Sequence, residues 1–280
     1  MVEEGELHFL NHLARSAKTG IHPWGDRATQ FLLEALELQP GQLVLEIGCG
    51  TGGTLVWVHA NADIRLFAID LLIPMIVVAR NRTNYCGLAH RTFLTIADGR
   101  RLPFLDNTFD RIYIESVLGF QTGQDIRSML GQIQKVLKTS GRCVINESIW
   151  MDTVSKAKVD QIVTESIHHF GLPPATKDGW YLQDWQKNIS RAGFTILSNV
   201  LFDERSLLRP QKKDRDTVEL LDKSTTFSRY HRARSYLSIP IIVKKIQYRI
   251  RQKKVNRDQQ VLEARLFILE KTKGFIQKSR

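Results

Sequence analysis

The sequence contains no run of eighteen apolar residues, so no transmembrane helix is expected from it. Its opening stretch, MVEEGELHFLNHLARS, begins acidic and lacks the unbroken apolar core of a secretory signal, which points to a cytoplasmic location. Cysteine is scarce: Cys49, Cys86 and Cys143 have neither CxxC spacing nor partner histidines. That pattern argues against a disulfide framework or a metal site and for three buried, small apolar residues. Internal repeats and low-complexity tracts are missing too. Acidic charge is missing where basic charge is densest, since Lys223 to Arg257 holds eleven Lys and Arg and no Asp or Glu. Residues 1–204 carry 19 basic against 22 acidic side chains, whereas residues 205–280 carry 21 against 7. The net charge of +11 therefore belongs to the tail, and attraction for an anionic partner is confined to one segment.

What is present is an alternation of strands and helices. A helix from Gly25 to Leu38 stops at Pro40-Gly41; strand Leu43 to Gly48, a helix from Gly53 to Ala60 and strand Ile64 to Ile69 make a βαβ unit. A helix at Pro74 to Arg82 precedes strand Thr92 to Ile96, and strand Arg111 to Glu115 precedes a helix near Gln124 to Leu137. The turn Thr139-Ser140-Gly141 introduces strand Arg142 to Glu147, followed by a long helix from Val154 to His169. A further helix carries Leu182, Trp185 and Ile189, and strands Phe194 to Phe202 and Ala264 to Lys271 close the domain. This alternation implies an α/β, doubly wound, mostly parallel sheet. About sixty residues between the last two strands exceed an ordinary connection and should have structure of their own. The expected division is a Rossmann-like domain of residues 1–204 and 262–280, with a basic helical lid inserted at 205–261.

The chemistry concentrates at LEIGCGTGG, Leu45 to Gly53, on a strand-to-helix junction. Glycines there let the backbone approach a ligand closely, and the following helix offers free N–H groups, so a nucleotide-like ligand fits. GCGTGG also satisfies the G-x-G-x-x-G pattern of dinucleotide-binding dehydrogenases, a weak signal alone. Glu46 would repel a pyrophosphate but could attract the positively charged methionine end of a sulfonium nucleoside. Asp70 ends the second strand where an acid accepts ribose hydroxyls, a feature common to both readings. Asp98-Gly99 follows the third strand, where a carboxylate could accept the adenine amine.

At these residues the chain resembles the class I S-adenosylmethionine-dependent methyltransferases, in particular the subgroup of quinone-biosynthesis and small-molecule methyltransferases. The segments that carry the resemblance are LEIGCGTGG, AID (Ala68 to Asp70), ADGRRLPFLDNTFDRIYIES (Ala97 to Ser116) and QKVLKTSGRCVINE (Gln134 to Glu147). The resemblance implies a seven-stranded sheet with an antiparallel last strand and S-adenosylmethionine as cofactor. It implies that Gly48, Gly50 and Gly52 line the methionine part, Asp70 the ribose and Asp98 the adenine, with Glu115 and Ser116 beneath. Cys49, Leu71 and Gly99 complete the expected set alongside Glu46. His22 and Trp24, in HPWG, stand where relatives often place a segment covering the cofactor, though they could equally be packing residues.

Transfer from a sulfonium is an in-line displacement by an already activated donor, so alignment and exclusion of water come before acid–base chemistry. Where the acceptor needs a base, Glu147 and His22 are the candidates, ahead of His168 and His169. The acceptor is expected to be a small organic molecule methylated at oxygen or carbon, because the long insertion would enclose a pocket. Within the insertion, Ile239, Ile242, Val243, Ile246 and Ile250 share one face of a basic amphipathic helix. It reads as a cap over the core or acceptor pocket, or as an attachment of residues 223–257 to an anionic membrane surface. Nucleic acid is not expected as a partner, since Ile114-Glu115-Ser116-Val117 replaces the Asn/Asp-Pro-Pro-aromatic signature of amino-methylating nucleic-acid enzymes. A cofactor-binding, membrane-recruited interaction protein without turnover, a nucleic-acid methyltransferase and a nicotinamide-dependent oxidoreductase are the competing readings.

Overall fold

Successive residues along the central strands point into two different apolar layers, and each layer is closed by its own helices. The computed structural model describes residues 10–11, 13–20, 22, 24–202, 215–236 and 261–272. Its strands are β1 (Leu43–Ile47), β2 (Arg65–Asp70), β3 (Thr92–Ile96), β4 (Phe109–Glu115), β5 (Leu137–Trp150), β6 (Phe194–Leu201) and β7 (Leu262–Lys271). They form one sheet in the order β3-β2-β1-β4-β5-β7-β6. Strands β1 to β5 pair in parallel, and β7 runs antiparallel to both β5 and β6. The expected doubly wound α/β sheet, with its antiparallel last strand, is therefore present.

The helices are α1 (Gly25–Leu36), α2 (Gly53–Asn61), α3 (Ile73–Tyr85), α4 (Gly123–Val136), α5 (Lys156–Phe170), α6 (Leu182–Arg191) and α7 (Arg215–Tyr236). Val44, Ala68, Tyr113 and Val144 face α1, α2 and α3, while Leu45, Ile47, Ile114 and Ile145 face α4 and α6. Burial on both faces is why these strands read as continuous apolar runs rather than alternating ones. The three cysteines are free and buried, as their spacing suggested.

Two elements differ from the sequence reading. Strand β5 runs on through the expected turn: pairing jumps from Phe109 with Leu137 to Arg111 with Arg142, and Ser140 takes a φ of 60°. The extra residues are absorbed as a bulge, which keeps the strand continuous while bending it. In the insertion, α7 lies along α2, with Thr217 Oγ1 donating to Ala60 O at 3.0 Å near one end. Its Ser224 and Ser228 lie towards the other end, joined to the Thr51 region through Arg82. Helix α7 thus runs antiparallel to α2 and finishes on the side where the parallel strands end. The amphipathic face of Ile239 to Ile250 lies outside the described residues. Among those residues, no helix is long and apolar enough to cross a membrane.

Candidate cofactor site

Strand β1 passes into α2 through a loop in which Gly48, Gly50 and Gly52 have φ of 79°, 51° and 77°. The reasons for glycine differ. A Cβ on Gly48 would overlap Val117 Cγ2, and one on Gly52 would sit 3.0 Å from Ala79. Those two serve internal packing. At Gly50 a Cβ would meet nothing within 4 Å among the described residues, so its backbone borders open space at the end of the sheet.

The tip of β2 holds this loop in shape. Gly48 and Cys49 donate their N–H groups to Ile69 O at 2.8 and 2.9 Å. Gly50 N donates to Asp70 Oδ2 at 2.8 Å, and Leu72 N to Asp70 Oδ1 at 2.9 Å. Burial raises the Asp70 pKa, while its backbone partners pull it down. Two carboxylate oxygens can accept more than these backbone N–H groups supply. Leu71, 45% exposed, follows directly and adds apolar surface beside the acid. An acceptor suited to a diol, an apolar neighbour and an open glycine backbone fit the nucleoside and methionine parts of S-adenosylmethionine. Cys49 itself is buried behind the loop.

Four other acids end up in distinct places. Glu46 is 3% exposed and accepts a hydrogen bond from Tyr113 Oη at 2.8 Å. Burial pushes its pKa up to about 8 against the pull of Tyr113, with Glu115 and Asp70 adding repulsion. Burial thus works against the negative charge expected from the sequence, and a cation beside the carboxyl would restore it.

Glu115 lies on the same sheet face and is the centre of a buried polar cluster. Thr54 Oγ1 donates to it at 2.7 Å and Asn146 Nδ2 at 3.2 Å, and His22 Nδ1 stands 3.4 Å away. The other His22 nitrogen lies 3.2 Å from Thr29 Oγ1, so both ring nitrogens already have side-chain partners. Its neighbour Ser116 takes a left-handed φ of 53°, with its N–H donating to Asn146 O at 2.9 Å. Trp24 is 39% exposed and also left-handed, with φ 63°.

Glu147 points to the opposite face of the sheet. Its carboxyl accepts the N–H groups of Val117, Leu118 and Gly119 at 2.8, 2.7 and 3.1 Å, fixing the turn after β4. Burial raises its pKa to about 7 despite those three donors. Asp98 is drawn out of this group: both its oxygens are taken by Arg100, which also pairs with Asp125 at 3.0 Å. That pairing lowers its pKa. Gly99 beside it gives room for Met129 and Ile47. The structure therefore brings Glu46, Asp70 and Glu115 within electrostatic reach of one another and ties Asp98 to a cation. His168 is exposed and His169 half-buried in the last turn of α5.

Sequence reasoning missed Thr29, Thr54, Tyr113 and Asn146. Only Asn146 left a signal, a polar side chain inside an otherwise apolar strand. Arg82 was missed as well: it is fully buried and donates to Thr51 O, within the glycine loop, at 2.8 Å.

This sheet order, with a glycine loop after β1 braced by the acid that ends β2, is a fold shared with solved methyltransferases, one of them holding SAM. Residues 44–141 match the methyltransferase domain family. Methyltransferase GfsG of Streptomyces halstedii is 27% identical over 187 residues, 66% of this chain and 64% of that protein. An O-methyltransferase of Pyrenophora dematioidea is 30% identical over 186 residues, 66% of this chain and 65% of that protein. The chain thus aligns with just under two thirds of each relative's length. Geranyl diphosphate methyltransferase, solved in complex with SAM, shares the fold with a TM-score of 0.57 at 16% identity, over 89% of this chain and 86% of that one.

Proposed function

We propose that this chain transfers the methyl group of S-adenosylmethionine to a small organic acceptor, at oxygen or carbon. The observation that carries the reading is the open backbone at Gly50 beside the Asp70 carboxylate. Gly50, with Gly48, Cys49 and Gly52 shaping its loop, borders the methionine part; Asp70 accepts from the ribose hydroxyls and Leu71 covers the nucleoside. Asp98 accepts from the adenine amine by sharing oxygens that Arg100 also engages, and Gly99 keeps that turn close to the sheet. When bound, the cofactor supplies a methyl group on a positively charged sulfur. Glu46 lies where that positive end would favour its ionised form, with Glu115 on the same face of the sheet.

The chain's own part in catalysis is alignment and exclusion of water. His22 orients Glu115 from one face, and Glu147 holds the Val117–Gly119 turn from the other, so both build the site more directly than they supply a free base. The insertion at 205–261 acts as the lid of the domain formed by 1–204 and 262–280. Support comes from the course of α7, which delivers the chain to the ligand edge of the sheet. A cytoplasmic location, with contact between residues 223–257 and an anionic membrane surface, belongs to the same proposal.

The test is calorimetry with S-adenosylhomocysteine and with NAD, followed by product detection with phenolic and quinol acceptors and with RNA. S-adenosylhomocysteine binding and methylation of a small acceptor are expected. Binding of NAD alone, or methylation of RNA alone, would overturn the reading.

A further inference from the structure

Arg82 is fully buried in the middle of α3, and among the described residues it has no acidic partner. An unpaired buried guanidinium is costly, and it persists where neutral oxygens satisfy its donors. Here those oxygens come from three separate stretches of chain. Nε donates to Thr51 O in the glycine loop at 2.8 Å, and one terminal nitrogen donates to Ala17 O at 2.8 Å. The other donates to Ser224 O, Ser224 Oγ and Ser228 Oγ on α7 at 2.9, 2.9 and 3.0 Å. The guanidinium also lies 4.8 Å from the ring centre of Phe227, on the same helix.

The segment around Ala17 is drawn into the same lock. Ala17 has a left-handed φ of 45°, unusual for a residue with a Cβ, and its carbonyl accepts from both Arg82 and Ser228. Next to it, Lys18 O accepts from Thr51 Oγ1 at 2.7 Å, and Thr19 occupies the space a Cβ on Gly53 would need. The Thr51 side of the loop is thus held by Arg82 and by the Ala17–Thr19 segment that Arg82 anchors.

We propose that Arg82 is a positioning residue that couples docking of the inserted helix α7 to the cofactor-ready shape of the glycine loop. Undocking α7 strips three acceptors from a buried cation, and the cation's remaining bonds are those that shape Thr51 and Ala17. The docked helix and the formed loop therefore favour each other. By linkage, a cofactor that binds only the formed loop must tighten the docking of α7 by the same factor that docking tightens the cofactor. The inserted helix acts on the cofactor from behind the loop, a role separate from covering the acceptor. The inference rests on S-adenosylmethionine being the cofactor.

The test uses the full chain with S-adenosylhomocysteine as probe. Ser224→Ala combined with Ser228→Ala removes two acceptors without touching loop or cleft. The double variant is expected to bind the probe 5- to 20-fold more weakly, with an unchanged far-ultraviolet dichroism spectrum. Arg82→Lys is expected to fall between it and Arg82→Met. In the wild type, saturating probe should slow hydrogen exchange of residues 215–236 at least threefold more than that of α5. Affinity of the double variant within twofold of wild type overturns the coupling. Should that variant not fold, equal slowing in α5 and residues 215–236 of the wild type overturns it instead. A wild type that does not bind the probe at all sinks the cofactor assignment and the coupling with it, a result distinct from the other two.

Discussion

The carboxylate of Asp70 accepts the N–H of Gly50 at 2.8 Å, so the last residue of β2 sets the conformation of the loop that leaves β1. With its other oxygen on Leu72 N, it joins the open glycine, the end of β2 and the start of α3 in one clamp. An acid usually read as a ligand contact is here also the brace of the ligand's backbone surface.

Replacing Asp70 by Asn tests the clamp. One oxygen is retained and the other becomes a donor facing an N–H, so the loop loses a charge-assisted acceptor. Affinity for S-adenosylhomocysteine should fall by about 1 to 3 kcal/mol, roughly ten- to hundredfold, as measured by calorimetry. An affinity equal to wild type would remove Asp70 from the site.

The glycines should separate into two kinds. Gly48→Ala puts a methyl group onto Val117 and should destabilise the fold by roughly 2 kcal/mol or more, in part recovered by adding Val117→Ala. Gly50→Ala meets no neighbour among the described residues and costs its left-handed backbone, about 1 to 2 kcal/mol. Its cofactor affinity should nevertheless fall at least tenfold. Paired thermal melts and calorimetry check both, and a Gly50→Ala protein that binds normally would contradict the open-backbone assignment.

Glu147 should matter for folding. Glu147→Gln keeps one carbonyl oxygen for three N–H donors and turns an amide group towards the others. The expected loss is about 1 to 3 kcal/mol in urea unfolding, because buried donors are left unmatched. If stability is retained and turnover is abolished, Glu147 is instead a base for the acceptor.

Acid–base linkage gives a further test. Glu46 and Glu147 have folded-state pKa values raised to about 8 and about 7, above the ordinary value of 4.5. The folded state holds these protons more tightly than the unfolded chain, so their contribution is complete below about pH 4.5 and is lost as pH rises through 7 and 8. Each pKa unit corresponds to about 1.4 kcal/mol, so unfolding free energy should drop by a few kcal/mol between pH 5 and 9. Glu46→Gln should flatten the upper part of that slope, and a slope unchanged by the substitution would place its titration elsewhere.

Much of this architecture was legible because it depends on local order in the chain. Strand β3 and the start of α2 were read from apolar runs and glycine position, and Asp70 from its place at a strand tip. The continuity of β5 was not legible, because a Ser-Gly pair reads as a turn unless a neighbouring strand holds it in register. Nor was the partner of Asp98. Arg100 is visible two residues on, but only the folded turn after β3 decides that it closes on that carboxylate.

By itself the sequence determined the two-faced apolar strands, the order of strands and helices, and the glycine loop with an acid following on the next strand. Those follow from periodicity and from backbone conformations that only glycine adopts freely. Tertiary structure alone decided which acids stay charged, that His22 reaches Glu115 and that Arg82 gathers Ala17, Thr51 and Ser224. Protonation and pairing depend on burial and on groups far apart along the chain, and no local pattern records which distant oxygens will meet a given side chain.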